Sequence, residues 1–242
     1  IVTGKVCGVE ALVRWMHPEQ GLIAPVDFIP LAEQTGIVQR LTGWVLNRAL
    51  SDCSEWQRQG HDFGVSVNLS PVNLHHPGIL KVISATLDRW QVSNRSLTLE
   101  LTESAVMTDP EYAVRILGIL VSAGINVSID DFGTGHCSLS YIKKLPVNEV
   151  KIDRSFVMDM NDDQNDMMIV RATIGLAHNM GLSVVAEGVE DKATLDNLCT
   201  LGCDKAQGYH IARPLPMAAF MNWLDGQMAA SSDAAEQRVA GG

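Results

Sequence analysis

Basic residues are in short supply: 18 lysines and arginines stand against 28 aspartates and glutamates, for a formal net charge of -10. A surface of that sign does not release condensed counterions from a nucleic-acid backbone, which excludes broad binding to a nucleic-acid polymer. An anionic substrate would need local help, from metal ions or a few placed cations. Cysteine is scarce as well. Cys7, Cys53, Cys137, Cys199 and Cys203 are odd in number and scattered, with no C-x-x-C pair. That excludes a disulfide framework and suits a reducing, cytoplasmic setting. Cys199 and Cys203 lie four apart, but DNLCTLG reads as the end of an amphipathic helix, which makes them packing residues. There is no signal peptide and no uninterrupted apolar run of about 18 residues, so no membrane contact is expected within this chain. A membrane-anchored parent protein remains compatible with that.

What is present is a chain of 242 residues, 46% hydrophobic and 19% charged, a balance suited to a folded core rather than to disorder. The length falls in the range of one α/β barrel, roughly 200 to 250 residues. Short β-branched runs alternate with longer helical patterns, the mark of repeated βα units around a parallel sheet. Strands are expected at Val6 to Val13, Phe63 to Asn68, Leu97 to Leu101, Asn126 to Asp130, Glu149 to Ile152, Ser183 to Ala186 and Lys205 to Gln207. Asp109 and Pro110 open a helix that Gly124 ends, Gly181 and Gly202 close two more, and Pro216 begins a last one. One domain is expected over residues 1–227, and residues 228–242, small and polar, read as a flexible tail. Seven strands would leave a seam in a closed barrel, and Ile1 to Lys5 read as the remnant of a hairpin whose first strand lies upstream.

Each apolar run finishes in polar or acidic residues: EALVR, VNLS, LELTE, SIDD, VKID, VVAEG and AQG. A parallel barrel sends all strand C-termini to one face, so Glu10, Asn68, Glu100, Asp130, Asp131, Lys151, Glu187 and Gln207 should converge there. One such carboxylate could cap a helix; five at equivalent positions cannot all do so. Clustered carboxylates repel one another unless they are protonated or neutralised by cations, and hard oxygen donors suit Mg²⁺ or Mn²⁺. Asn68 adds a neutral carbonyl ligand, and the absence of histidine and cysteine from the strand ends argues against zinc. Glu10, Glu100, Asp130, Asp131 and Glu187 carry about five negative charges and Lys151 returns one, so about two divalent ions bring near neutrality. Paired ions are the usual device for in-line displacement at phosphorus, with the Asp130 and Asp131 pair suited to serving both.

At these residues the sequence resembles the EAL-domain family of cyclic di-GMP phosphodiesterases, named for a motif that stands here as Glu10, Ala11 and Leu12. The likeness runs from about Val6 to Leu224 through EALVRW, NLSP, ELTES, DDFGTG, KIDRSF, AEGVE, QGY and ARPLP, in family order. It implies a modified TIM-type (β/α)8 barrel whose strand before the EAL motif runs antiparallel, with that first strand apparently missing from this chain. It also implies hydrolysis of cyclic di-GMP to linear pGpG with Mg²⁺ or Mn²⁺, two per active site. The resemblance assigns Glu10, Asn68, Glu100 and Asp130 to the first metal. Asp130, Asp131 and Glu187 go to the second metal or its waters, and Lys151 is the catalytic lysine. Gln207 helps hold the water or metal shell, Arg14 contacts phosphate or substrate, and Leu12 lines the guanine pocket. Glu103 pins the loop after the aspartate pair, a loop that needs Gly133 and Gly135 and is linked to dimerisation. A homodimer and an upstream sensory or GGDEF-type domain in a longer parent are implied too.

The chain departs from the family at His136 and Cys137, where tyrosine and serine are usual. His136 as a pH sensor is weighed against a surface or interface histidine. His17, in RWMHPEQG, reads as a turn builder rather than a ligand, and Met158, Met160, Met167 and Met168 as packing or interface residues. Two rival readings stand beside hydrolysis. A degenerate domain that only binds cyclic di-GMP would normally have lost a ligand or the lysine, whereas all are present. A barrel using Lys151 for a Schiff base needs a neutral amine, which five surrounding carboxylates disfavour.

Overall fold

All seven expected runs form strands, and they pair in a single parallel sheet in the computed structural model of the chain, which describes residues 1–135 and 139–227. In chain order the strands are β1 (Gly8–Ala11), β2 (Trp15–His17), β3 (Gly21–Ile23), β4 (Gly64–Asn68), β5 (Leu97–Thr102), β6 (Asn126–Phe132), β7 (Glu149–Ile152), β8 (Ser183–Ala186) and β9 (Lys205–Ala206). The parallel sheet runs β1-β4-β5-β6-β7-β8-β9 and curls into an α/β modified TIM-type barrel. Strand β1 is shorter at both ends than the expected Val6 to Val13, and β6 continues past Asp130 to Phe132. The β2–β3 hairpin was not expected. It is the antiparallel pairing found among the described residues, and His17 holds its turn by accepting Glu19 and Gln20 backbone N–H groups on Nδ1, each at 3.2 Å.

The chain divides into two compact units, Ile1–Ile211 and Ala212–Gly242. In the second, residues 217–227 are helical, the Phe220 amide donates to the Pro216 carbonyl, and the Phe220 and Trp223 rings stack at 6.0 Å. The tail at residues 228–242 lies outside the described residues, as do His136 and Cys137.

Within the first unit the strands alternate up to Asp130. Val65, Val67, Leu97, Leu99, Leu101, Val127, Ile129, Val150, Ile152 and Val184 are buried on the outer face. Helices Val38–Arg58 on β4, Pro110–Ser122 on β6 and Gln164–Asn179 on β7 and β8 cover that face. Burying each such side chain contributes roughly 1.5–3 kcal/mol, which makes the outer layer the main source of stability. The helices are delimited as their chemistry requires: Asp109 caps the Tyr112 amide at 3.1 Å ahead of Pro110, and Gly124 leaves the helix at φ +87°.

The inner face carries the polar residues, because successive side chains on a strand point to opposite sides. Stepping across the paired strands with one residue of offset per strand, as barrel tilt demands, sorts the inward side chains into tiers. One tier holds Glu10, Glu100, Lys151 and Gln207. Asn68, Asp130 and Glu187 lie one step nearer the C-terminal mouth. One step below come Ser66, Ser128 and Val185, and below that Gly8, Thr98, Glu149 and Lys205. Contacts within tiers agree with this sorting: Lys151 reaches Glu100 at 3.0 Å, Gln207 donates to Glu10 at 2.6 Å, and Lys205 meets Glu149 at 2.6 Å.

Candidate active site

Lys151 is the hub of the mouth. Its side chain is 2% exposed, and Nζ lies 2.6 Å from Glu187 Oε1, 3.0 Å from Glu100 Oε2, 3.4 Å from Asp130 Oδ1 and 3.6 Å from Glu10 Oε2. Glu10 is held from both sides, by Asn68 Nδ2 on Oε1 and Gln207 Nε2 on Oε2, each at 2.6 Å. Burial alone would push the lysine down, but the surrounding Glu100, Glu10, Glu187 and Asp130 overcome it and raise it well above the ordinary lysine range. A lysine held in its protonated form is a poor nucleophile, which argues against the Schiff-base reading.

One ammonium cannot neutralise this many acids. Burial, with repulsion from neighbouring carboxylates outlasting the attraction of Lys151, pushes Glu100 up to about 8 and Glu187 to about 7. Burial also raises Asp130. Glu10 alone moves down: burial pushes it up, but Lys151 and the Gln207 and Asn68 amides prevail. Asp131 rises to about 6 through burial and the charges of Asp130 and Asp153.

Adjacent residues of a regular strand face opposite ways, so both aspartates can serve one site only if the pleat breaks. It does: the β6–β7 register shifts between Ile129 and Phe132, and Asp131 takes the left-handed conformation at φ +54°. The Asp131 amide returns a hydrogen bond to Asp130 Oδ1 at 3.0 Å. Carboxylate oxygens of Asp130, Asp131 and Glu187 gather within 4.8 Å of one another. An all-oxygen donor set in which the carboxylates are forced toward protonation fits a hard divalent cation, with Asp130, Asp131 and Glu187 as the residues that would hold it.

Asp153 escaped the sequence reading. It caps the helix Arg154–Met158, accepting the Ser155 amide at 2.9 Å, and shares a hydrogen bond with the Asp131 carboxyl. A cap and a carboxylate partner look the same in sequence; only the adjacency of β6 and β7 distinguishes them.

Glu103 stands where a loop support was expected. It is buried at the start of the helix Glu103–Met107, and Oε2 accepts the Gly133 amide at 3.1 Å. Gly133 sits at φ +100°, and a Cβ on Gly135 would meet Glu103 Oε1 at 2.5 Å, so larger residues would strain the backbone at the first position and displace the Glu103 carboxylate at the second. Leu12 and Arg14 follow β1 as exposed residues, with the guanidinium donating to the Val13 carbonyl at 2.9 Å. Of the methionines, Met160 is buried while Met158 and Met168 are exposed, and Cys53 and Cys203 are buried.

A profile of the EAL domain matches residues 1–214. The chain belongs to the EAL domain family. It is 43% identical over 214 residues to the bifunctional diguanylate cyclase/cyclic di-GMP phosphodiesterase MucR of Pseudomonas aeruginosa, covering 88% of this chain and 31% of the relative. It is 41% identical over 225 residues to the cyclic di-GMP phosphodiesterase NbdA of the same organism, covering 93% of this chain and 29% of the relative. The EAL chain thus spans about a third of the length of these relatives. Among solved structures, the PaMucR phosphodiesterase in complex with c-di-GMP superposes with a TM-score of 0.84 at 42% identity, covering 87% of this chain and 86% of that one.

Proposed function

We propose that this EAL domain hydrolyses cyclic di-GMP to linear pGpG with the help of Mg²⁺ or Mn²⁺, two per site. The observation that carries the reading is Lys151 Nζ within 3.6 Å of four carboxylates, with Asp131 beside them: an acid excess that a single ammonium leaves uncompensated. Bound cations would supply Lewis-acid polarisation at phosphorus and a lowered water pKa.

The chain's own residues do the rest. Lys151 offsets developing negative charge and, through its 2.6 Å contact, fixes Glu187 Oε1 at the mouth. Asn68 and Gln207 lock the Glu10 carboxylate in one orientation. Glu10, Asn68, Glu100 and Asp130 would hold the first cation, and Asp130, Asp131 and Glu187 would serve the second or its waters. Leu12 and Arg14, exposed beside the mouth, meet the guanine and the phosphate. The relatives named for cyclic di-GMP chemistry and the solved complex support the substrate. Homodimerisation around the helix holding Ser140 to Lys144, a cytoplasmic setting and a sensory or GGDEF-type neighbour belong to the same reading; among the described residues no helix is long and apolar enough to cross a membrane.

The test is chromatography after incubation with cyclic di-GMP. One pGpG peak with Mg²⁺ or Mn²⁺, none in excess chelator and none with Ca²⁺, whose longer bonds spread a cation pair, is the expected result. Bound but uncleaved cyclic di-GMP in the presence of Mg²⁺ or Mn²⁺ would overturn it in favour of a receptor.

A further inference from the structure

Ser128 lies one tier beneath the hub, at the centre of β6. It is wholly buried, and among the described residues its hydroxyl oxygen is the buried side-chain polar atom with no protein hydrogen-bond partner. The register sets it beside Glu100 on β5 and Glu149 on β7, on the face that Asp130 shares. Glu149 is already engaged, by Lys205 Nζ at 2.6 Å and Ser183 Oγ at 3.2 Å. Ser128 shares its tier with Ser66 and Val185, so two of these three inward side chains are small hydroxyls where a packed barrel would place bulky branched ones. A tier with two small hydroxyls, one of them unpaired, is the kind of place where a buried water makes its hydrogen bonds.

We propose that Ser128 is a positioning residue for the cation cluster: its hydroxyl anchors an ordered water that hydrogen-bonds the Glu100 carboxylate from below. Glu100 already gives one oxygen to Lys151, and a second fixed contact would stop the carboxylate rotating about its end, presenting it to a cation in one orientation. Groups that orient ligands in this way typically change metal affinity by about 10–100-fold when removed. The inference rests on the proposal that the carboxylates bind divalent cations.

A matched pair of variants tests it in the intact chain. Ser128→Thr keeps the hydroxyl, and Ser128→Val has the shape of threonine without it. Mn²⁺ alone is titrated into the metal-free protein and followed by the electron paramagnetic resonance of the free ion, with melting temperatures recorded in chelator. We expect Ser128→Val to bind Mn²⁺ about tenfold or more weakly, Ser128→Thr to stay within about threefold of the parent, and the two to melt alike without metal. Equal Mn²⁺ affinity for the two variants overturns the role of Ser128 while leaving the cation site in place. No Mn²⁺ binding by the parent overturns the cation reading itself. Should Ser128→Val fail to fold, Ser128→Ala, which removes the anchor and leaves room for water, must show the weakening instead; unchanged affinity there overturns the proposal.

Discussion

Two lysines point into the same barrel and live differently. Lys205, near the strand N-termini, faces one buried carboxylate, Glu149, at 2.6 Å. Lys151, two tiers higher, faces four. The lower pair shows what the fold needs to accommodate a lysine: one partner, charge for charge. The upper tier exceeds that need, and the excess has a thermodynamic cost, visible in the raised Glu100, Glu187 and Asp131. An acid excess of this kind is what the proposed cations would offset.

The largest break in that comparison should come from Glu10→Ala. Glu10 is tied to Asn68, Gln207 and Lys151 yet sits at the mouth rather than in the helix-covered layer. Turnover of cyclic di-GMP should fall by more than about a thousandfold, roughly 4 kcal/mol in barrier. The melting temperature should stay near that of the parent, and an unfolded variant would count against this division of labour.

Asp131→Asn is expected to be next in size. It keeps shape and much of the hydrogen bonding but removes the charge that draws a second cation. We expect kcat to drop by at least about a hundredfold, about 2.7 kcal/mol, with partial recovery at higher pH. Affinity for cyclic di-GMP should shift by less than about tenfold, or 1.4 kcal/mol. Calorimetry and single-turnover rates on one preparation separate the two; lost binding would reassign Asp131 to substrate recognition.

A third measurement sharpens the contrast without mutation. Carboxylates raised to about 6 (Asp131), 7 (Glu187) and 8 (Glu100) hold protons in the folded apo chain that the unfolded chain has already released. Their contribution to stability therefore declines as pH climbs from the ordinary carboxylate range through about 8. Cations bind the deprotonated form, so the rise in melting temperature on adding Mg²⁺ should grow between about pH 6 and 8.5. A pH-independent rise would mean that these acids do not meet the cation.

The smallest effect belongs to the lower tier. Glu149→Gln leaves Lys205, already 41% exposed on its side chain, able to reach water. The expected loss is about 1 kcal/mol of stability in a denaturant titration, with turnover within about twofold. A large catalytic defect would show that the lower tier is not an independent ion pair.

These tiers were only half legible in the sequence. The strand ends were readable because each apolar run stops at a polar residue, and a parallel barrel leaves one place for those residues to go. Ser66, Thr98, Ser128, Glu149 and Lys205 were not recognised as inward, although VSVN, LTLELT and VSID alternate residue by residue. The alternation was masked because apolar content, rather than its period, marked the strands. The β2–β3 hairpin has strands of three residues each, too short to show a period. The broken pleat at Asp131 leaves no trace in DDFG that distinguishes it from a regular strand end.

The outer face of the sheet is apolar and helix-covered; the inner face is polar and makes the site. Such a division separates heritable change into two kinds. A substitution facing inward alters chemistry while leaving the shell that folds the chain, so a catalyst and a mute receptor can be one mutation apart and share a backbone. Likeness of shape between two such barrels is therefore silent about whether either turns over its ligand, and the residues around Lys151 have to be inspected one by one.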